Sequence, residues 1–326
     1  MKDVYFIAEI GVNHEAKINN AFQHIREAKQ GGAQAIKLQV YKAEKIVSKY
    51  AKSYWDKSAE KEESQLKLYK KLDGFNFDDY NKIYKYCKKI KIDFLVTPFD
   101  IDTVDFFLKK TKFFKISSSD ITNYSLLNKV ALTKKKIILS TGASTKQEIE
   151  NALNILKKSK NNIFLLHCIL NYPTKIYNAN LNMIDDLKKY GYEVGLSDHT
   201  IPKDSHKVLP IAYSKGVRIF EKHFTINKRK KGNDHFHSFD KNDLKKFFKN
   251  IKSLDKILGS NKKNFIKSEI VSRKNARRSI FYKKDLRKNQ KIGKNDLIML
   301  RPRTGVCASK VGLVYGRKLK RDKKKR

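Results

Sequence analysis

Eight short apolar runs, separated by segments whose apolar residues fall three and four apart, set the architecture of this chain up to Phe220. The runs occupy residues 5–10, 35–40, 94–97, 113–116, 137–139, 163–166, 193–196 and 217–220. They are short enough for buried strands, and the intervening stretches 18–30, 77–90, 145–158 and 203–215 carry a helical period. Ser144 and Thr145, followed three residues later by Gln147 and Glu148, mark a capping box at the start of one helix. Eight strand–helix units over some 240 residues match a (β/α)8 barrel, a TIM-type fold whose site lies at the carboxyl ends of its strands. A doubly wound sheet would carry a glycine-rich phosphate turn after its first strand, and none is present.

The strand ends carry chemistry. In order they present Glu9, Lys37 and Gln39, Thr97, Lys115 and Ser118, Ser140 and Thr141, His167, Ser197 and His199, and Glu221 and His223. Inward-facing charge at one end of apolar strands costs stability unless it is used or paired, so the set describes a site, with Thr141 alone read as a rim residue. Side chains alternate along a strand, which puts Ser197 with His199 on one face and Glu221 with His223 on another. If those strands are neighbours, the two imidazoles converge on one divalent cation, which two neutral nitrogens and no thiolate leave open among manganese, zinc, cobalt and iron. Lys37, Lys115, Ser118, Ser140 and Ser197 are donors suited to phosphate and carboxylate groups, and Glu9 is placed to act as a general base. A metal, an anion clamp and a carboxylate together point to carbon–carbon bond formation or phosphoester chemistry on a small anion. His167 is read either as a contact to that region or as a structural histidine; one of His235 and His237 is a candidate supplementary ligand, and His14 a hydrogen-bonder within its loop.

Composition narrows the surroundings. The net charge is +40, from 73 Lys and Arg against 33 Asp and Glu. The lysines are spread over every helix face and loop, with a dense block only at the carboxyl end, so a nucleic-acid partner is not expected although anions are attracted. Cys87, Cys168 and Cys307 have no CxxC spacing and read as reduced structural cysteines. No apolar stretch approaches membrane-span length and no signal pattern precedes the first strand, so a soluble, cytoplasmic protein is expected. The connection 41–77 after the second strand is unusually long; it holds the single tryptophan, Trp55, and an amphipathic stretch 59–72, as a lid, an interface element or a plain surface helix would. Residues 1–258 form the expected barrel, 259–276 an irregular linker, and 277–326 a small β-rich domain.

These motifs resemble the sialic acid synthase family. The resemblance runs in order through Ile7-Ala8-Glu9-Ile10-Gly11-Val12-Asn13-His14, Ile36-Lys37-Leu38-Gln39, Val96-Thr97-Pro98-Phe99, Phe114-Lys115-Ile116-Ser117-Ser118 and Leu139-Ser140-Thr141-Gly142. It continues through Leu166-His167-Cys168, Leu196-Ser197-Asp198-His199-Thr200 and Glu221-Lys222-His223-Phe224-Thr225. Asn295-Asp296-Leu297 and Arg301-Pro302-Arg303-Thr304-Gly305 resemble the family's antifreeze-like (SAF) domain. The resemblance implies a transferase that condenses phosphoenolpyruvate with an N-acetylated amino-sugar aldehyde, N-acetylmannosamine or a 2,4-diacetamido-trideoxyhexose, with C–O cleavage and release of phosphate. It implies His199 and His223 as ligands of a divalent metal, Mn2+ or else Mg2+ or Co2+, and Lys37, Thr97, Lys115, Ser118, Ser140 and Ser197 as the phosphoenolpyruvate cradle. Glu9 would move the proton. Gln39, Asp120, Tyr172 and Asp234 would face the sugar, with Arg301 reaching a partner's barrel in a domain-swapped homodimer. Synthases acting on phosphorylated aldoses share the chemistry, but the SAF-like tail separates this chain from them; a basic nucleic-acid-binding protein on a retired barrel is countered by the intact Glu9, Lys37, Lys115, His199 and His223. The chain departs from the family where Ser117-Ser118-Ser119-Asp120 replaces Gly-Ser-Gly-Glu, at Leu170 and at Arg303, and its end soon after Gly316 leads us to expect a missing or degenerate last strand.

Overall fold

The computed structural model describes residues 4–55, 57, 60–157, 162–232 and 234–325. It divides into two compact units, Met1–Gly259 and Ser260–Arg326. In the first, eight parallel strands close into a barrel: β1 Tyr5–Glu9, β2 Ala35–Val40, β3 Asp93–Pro98, β4 Phe113–Ile116, β5 Lys136–Ser140, β6 Ile163–Cys168, β7 Glu193–Asp198 and β8 Ile219–His223. Closure is made by β1 pairing with β8, which sets Glu9 beside His223 on one side and beside Lys37 on the other. Both faces of each strand are covered, which is why the sequence shows near-continuous apolar runs instead of alternation.

Local signals start the helices where the sequence places them. Thr145 accepts the Glu148 amide and Glu148 returns the bond to the Thr145 backbone, opening Lys146–Leu156; the expected end at Lys158 lies outside the described residues. Asn76 with Asp79 and Asp240 with Asp243 make the same reciprocal cap for Phe77–Lys89 and Lys241–Leu258. The long connection holds two short helices, Ala43–Ile46 and Gln65–Leu72; Ala59, where the amphipathic stretch was expected to begin, is outside the described residues.

The lumen is layered. Ile7, Ala35, Leu95, Phe113, Ile138 and Leu166 fill its lower part as a cluster separate from the core between strands and helices. Two residues further along each strand, on the same face, stand Glu9, Lys37, Thr97, Lys115, Ser140, Cys168, Ser197 and Glu221. An apolar floor therefore carries a polar tier. Gly195 belongs to the floor, where a Cβ would come within 2.6 Å of the Ile219 carbonyl oxygen.

The second unit pairs β9 Ser279–Tyr282 with β10 Leu297–Leu300, antiparallel, over a small core of Leu286, Ile292, Leu297 and Leu319. The stretch expected as an irregular linker contains a helix, Ile270–Ala276. The carboxyl-terminal stretch, expected to have a missing or degenerate last strand, forms no regular strand after Leu300 among the described residues; it makes isolated antiparallel bridges, Lys291 with Lys318 and Leu286 with Lys323, and buries Leu319. Among the described residues no helix is long and apolar enough to cross a membrane.

Candidate active site

Charge balance organises the polar tier. The Lys37 ammonium is paired with Glu9 Oε2, lies 3.9 Å from Glu221 Oε2 and donates to Thr97 Oγ1 at 3.1 Å. Lys115 lies 3.7 Å from Glu221 Oε1, which also accepts from Ser197 Oγ at 3.0 Å. All of these side chains are buried, so each charge survives only through its partners. Burial opposes ionisation of Glu221, yet Lys115 and Lys37 hold its carboxyl below the usual range. Burial lifts the Glu9 carboxyl above that range against the pull of Lys37 and His223. The tier thus sets two lysines beside two carboxylates with hydroxyl donors around them, and burial weighs against the charge of Lys115 until an anion joins it. Ser140 Oγ is buried with no hydrogen-bond partner, and Ser118 Oγ accepts the Gly142 amide at 2.9 Å. Lys37, Lys115, Ser118, Ser140 and Ser197 line one cavity with His199 and His223.

The outward-facing residues of the same strands brace the site. Between Ser197 and His199 stands Asp198, and between Glu221 and His223 stands Lys222; the two point away from the lumen and pair at 3.0 Å. Thr200 and Ser205 add hydroxyls to the Asp198 carboxylate, and Lys222 donates to the carbonyls of Asp198 and Thr200. This buried knot ties β7 to β8 directly behind both histidines.

His199 Nδ1 is hydrogen-bonded to the Ile169 carbonyl at 2.8 Å, which leaves Nε2 to face the site. Its ring centre lies 5.4 Å from that of His223 and 4.3 Å from Tyr172. Burial, reinforced by His223, lowers the His199 pKa to about 3, so its imidazole is neutral and able to ligate. His223 Nδ1 is buried without a hydrogen bond, 3.2 Å from Asp234 Oδ2. An imidazole with an unsatisfied nitrogen beside a carboxylate, next to the neutral His199, fits a divalent cation.

Above this lies a cavity of about 390 Å³ whose wall comes largely from the long connection: Val47, Tyr54, Trp55, Leu68, Tyr69 and Leu72. Gln39, Asp120, Leu170, Tyr172 and Asp234 face it from the barrel side. Asp120 accepts from Asn123 Nδ2 at 3.2 Å and from Ser119 Oγ at 3.3 Å, and burial lifts its carboxyl above the usual range.

The structure thus gathers thirteen of the fourteen expected site residues, from Glu9 to Asp234, around two adjoining cavities, while Arg301 follows β10 in the second unit and is exposed. His167 takes the structural role, pointing outward to the Ala179 carbonyl at 2.8 Å. Thr141 hydrogen-bonds the Leu166 carbonyl, and His14 Nδ1 accepts the Ala16 amide within its loop. Two features were not assigned in the sequence: Glu221 as the counter-ion of both lysines, and the long connection as a cavity wall, although Trp55 and the amphipathic stretch 59–72 had marked it as a lid or interface candidate.

The NeuB family model matches residues 24–263 and the SAF domain model residues 277–325. The chain belongs to the NeuB family. As a NeuB family member it is 38% identical to N,N'-diacetyllegionaminic acid synthase of Campylobacter jejuni, over 94% of this chain and 93% of that one. It is 30% identical to pseudaminic acid synthase of Helicobacter pylori, over 92% and 88%. Among solved structures it is similar to the N-acetylneuraminic acid (sialic acid) synthetase of Leptospira borgpetersenii, with TM-score 0.74 and 32% identity over 83% of this chain and 90% of that one. These NeuB relatives are named as synthases of nonulosonic (sialic-type) acids, and this chain couples the NeuB barrel to a SAF domain.

Proposed function

We propose that this NeuB family protein condenses phosphoenolpyruvate with an N-acetylated amino-sugar aldehyde, releasing phosphate by C–O cleavage. The reading is carried by one observation: the lysine-rich anion basin and the histidine pair open into a single lumen beside a cavity of sugar size. Lys37 and Lys115, with Thr97, Ser118, Ser140 and Ser197, bind the phosphate and carboxylate, exchanging their internal partners Glu9 and Glu221 for substrate oxygens. The new bond joins the methylene carbon of phosphoenolpyruvate to the aldehyde carbon, leaving a cationic centre at the enol carbon. Water adds there, and phosphate departs with its bridging oxygen to leave the 2-keto acid. The water oxygen loses two protons on its way to the ketone, one taken up by the aldehyde oxygen and one leaving with the phosphate, and Glu9 is the carboxylate placed to manage the first transfer. A divalent metal, held by His199 and His223, supplies Lewis-acid polarisation of the aldehyde oxygen.

The acceptor we favour is a 2,4-diacetamido-trideoxyhexose. A wall of Val47, Leu68 and Leu72 with Trp55 suits a methyl group and acetamido methyls better than a hydroxymethyl group. Gln39, Asp120, Tyr172 and Asp234 supply polar contacts. Arg301 contributed by a second copy, in a dimer with exchanged small domains, belongs to the same reading. The test is phosphate release from phosphoenolpyruvate with Mn2+, run in parallel with that acceptor and with N-acetylmannosamine. Release with the first at higher kcat/KM is expected; a preference for N-acetylmannosamine overturns the acceptor, and no release with either overturns the reaction.

A further inference from the structure

Seven of the eight histidines are explained by a hydrogen bond or by the assigned metal pair; His237 is not. His14, His24, His167, His199, His206 and His235 each have a ring nitrogen in a hydrogen bond. His223 and His237 have none, and these two face each other with ring centres 5.1 Å apart. His237 is fully buried, and neither Nδ1 nor Nε2 finds a partner. A buried imidazole with both nitrogens unsatisfied is costly, and such exceptions call for a ligand. Between the two rings lies Asp234, with Oδ2 3.2 Å from His223 Nδ1 and Oδ1 3.7 Å from His237 Nε2. One donor atom from each of the three residues falls within 4.8 Å of the others. Neighbouring ligands at 2.0–2.2 Å from one ion stand about 3 Å apart, so the three close onto a cation with side-chain movements on the order of an ångström.

We infer that His237 is a further protein ligand of this chain's metal, forming with His223 and Asp234 a two-histidine, one-carboxylate face to which His199 adds a fourth donor. The inference rests on the proposed metal role of His199 and His223 and deepens it. The neighbouring His235 serves as the contrast: equally buried, its Nδ1 is bonded to Thr225 Oγ1 at 2.7 Å, and its Nε2, without a hydrogen bond, lies 3.4 Å from Glu15. Position 237 is set on the site by the 3-10 turn His235–His237, which follows Asp234 directly and returns the third residue to the face that the carboxylate occupies. Two-histidine, one-carboxylate faces leave open positions and suit manganese, iron and cobalt over magnesium.

The test uses the full chain stripped of metal, titrated with Mn2+ alone by calorimetry and with Co2+ alone by visible absorption. His237→Ala and His237→Gln are compared with the unsubstituted chain and with His199→Ala, and circular dichroism checks that each variant is folded. Expected are an Mn2+ Kd raised at least about tenfold by His237→Ala and a shifted, weakened Co2+ ligand-field band, with His237→Gln recovering part of the affinity. Unchanged Mn2+ affinity in folded His237→Ala and His237→Gln overturns the inference. So does weaker affinity with an unaltered Co2+ band, because a merely structural histidine leaves the ligand set intact. If His199→Ala loses Mn2+ and the unsubstituted chain releases phosphate while His237→Ala binds metal normally, the inference falls and the proposed function stands.

Discussion

Lys222 shows how single side chains hold this site. It is fully buried, paired with Asp198 and bonded to two carbonyls, and it lines neither of the two site cavities. Replacing it by Met leaves the Asp198 carboxylate without its counter-ion, so Lys222→Met is expected to cost about 3–5 kcal/mol in urea unfolding. Burial opposes ionisation of Asp198, but Lys222, with Ser205 and Thr200, holds it below the ordinary range. The stability it contributes is therefore complete at neutral pH, begins to fall near the unfolded carboxylate value of about 4, and is lost as pH drops further; Asp198→Asn flattens that acid limb. Glu9 behaves in the opposite sense. With its carboxyl raised by burial, the acid limb of kcat/KM is expected above the ordinary carboxylate range, the rate falling as pH falls because protonated Glu9 accepts no proton. Glu9→Gln should abolish that limb and lower kcat about 10²- to 10⁴-fold, with phosphoenolpyruvate still protecting the protein against thermal unfolding.

At the scale of elements, the barrel follows from two periods. The apolar runs announced each strand, and adding two residues along the same face converts floor into site at every strand, Ile7 to Glu9 and Ile138 to Ser140 alike. That is why nearly the whole anion basin could be read from strand ends. The floor constrains what may stand there: Gly195→Ala drives a methyl group against the Ile219 carbonyl and is expected to lower stability by about 1–3 kcal/mol, measured as a drop in Tm. The cavity wall was less legible, because Val47, Tyr54 and Leu68 acquire their common neighbour only when Ala43–Ile46 and Gln65–Leu72 fold over β2 and no local period encodes that approach. His237 was legible as a candidate but not as a choice over His235, since the two differ only in what surrounds them. The carboxyl-terminal pairing of Leu286 with Lys323 escaped for a similar reason: isolated bridges leave no alternation in the sequence.

For the whole molecule, the +40 charge finds a physical use without a polymer partner. A field of that sign draws a multiply charged anion toward the barrel mouth and leaves a neutral sugar indifferent. Raising ionic strength from about 0.05 to 0.5 M shortens the Debye length severalfold, so kcat/KM for phosphoenolpyruvate should fall while that for the acceptor changes little. If both fall equally, the field is not steering the anion.

The anion basin is built on strands locked into a closed barrel, whereas much of the wall of the upper cavity, where we propose that the acceptor sits, is one continuous stretch between β2 and the helix Phe77–Lys89. Those two parts can evolve independently. A lineage could trade one sugar for another by rewriting some thirty residues of a single connection, and grafting that connection between relatives should move acceptor choice with it and leave the affinity for phosphoenolpyruvate behind.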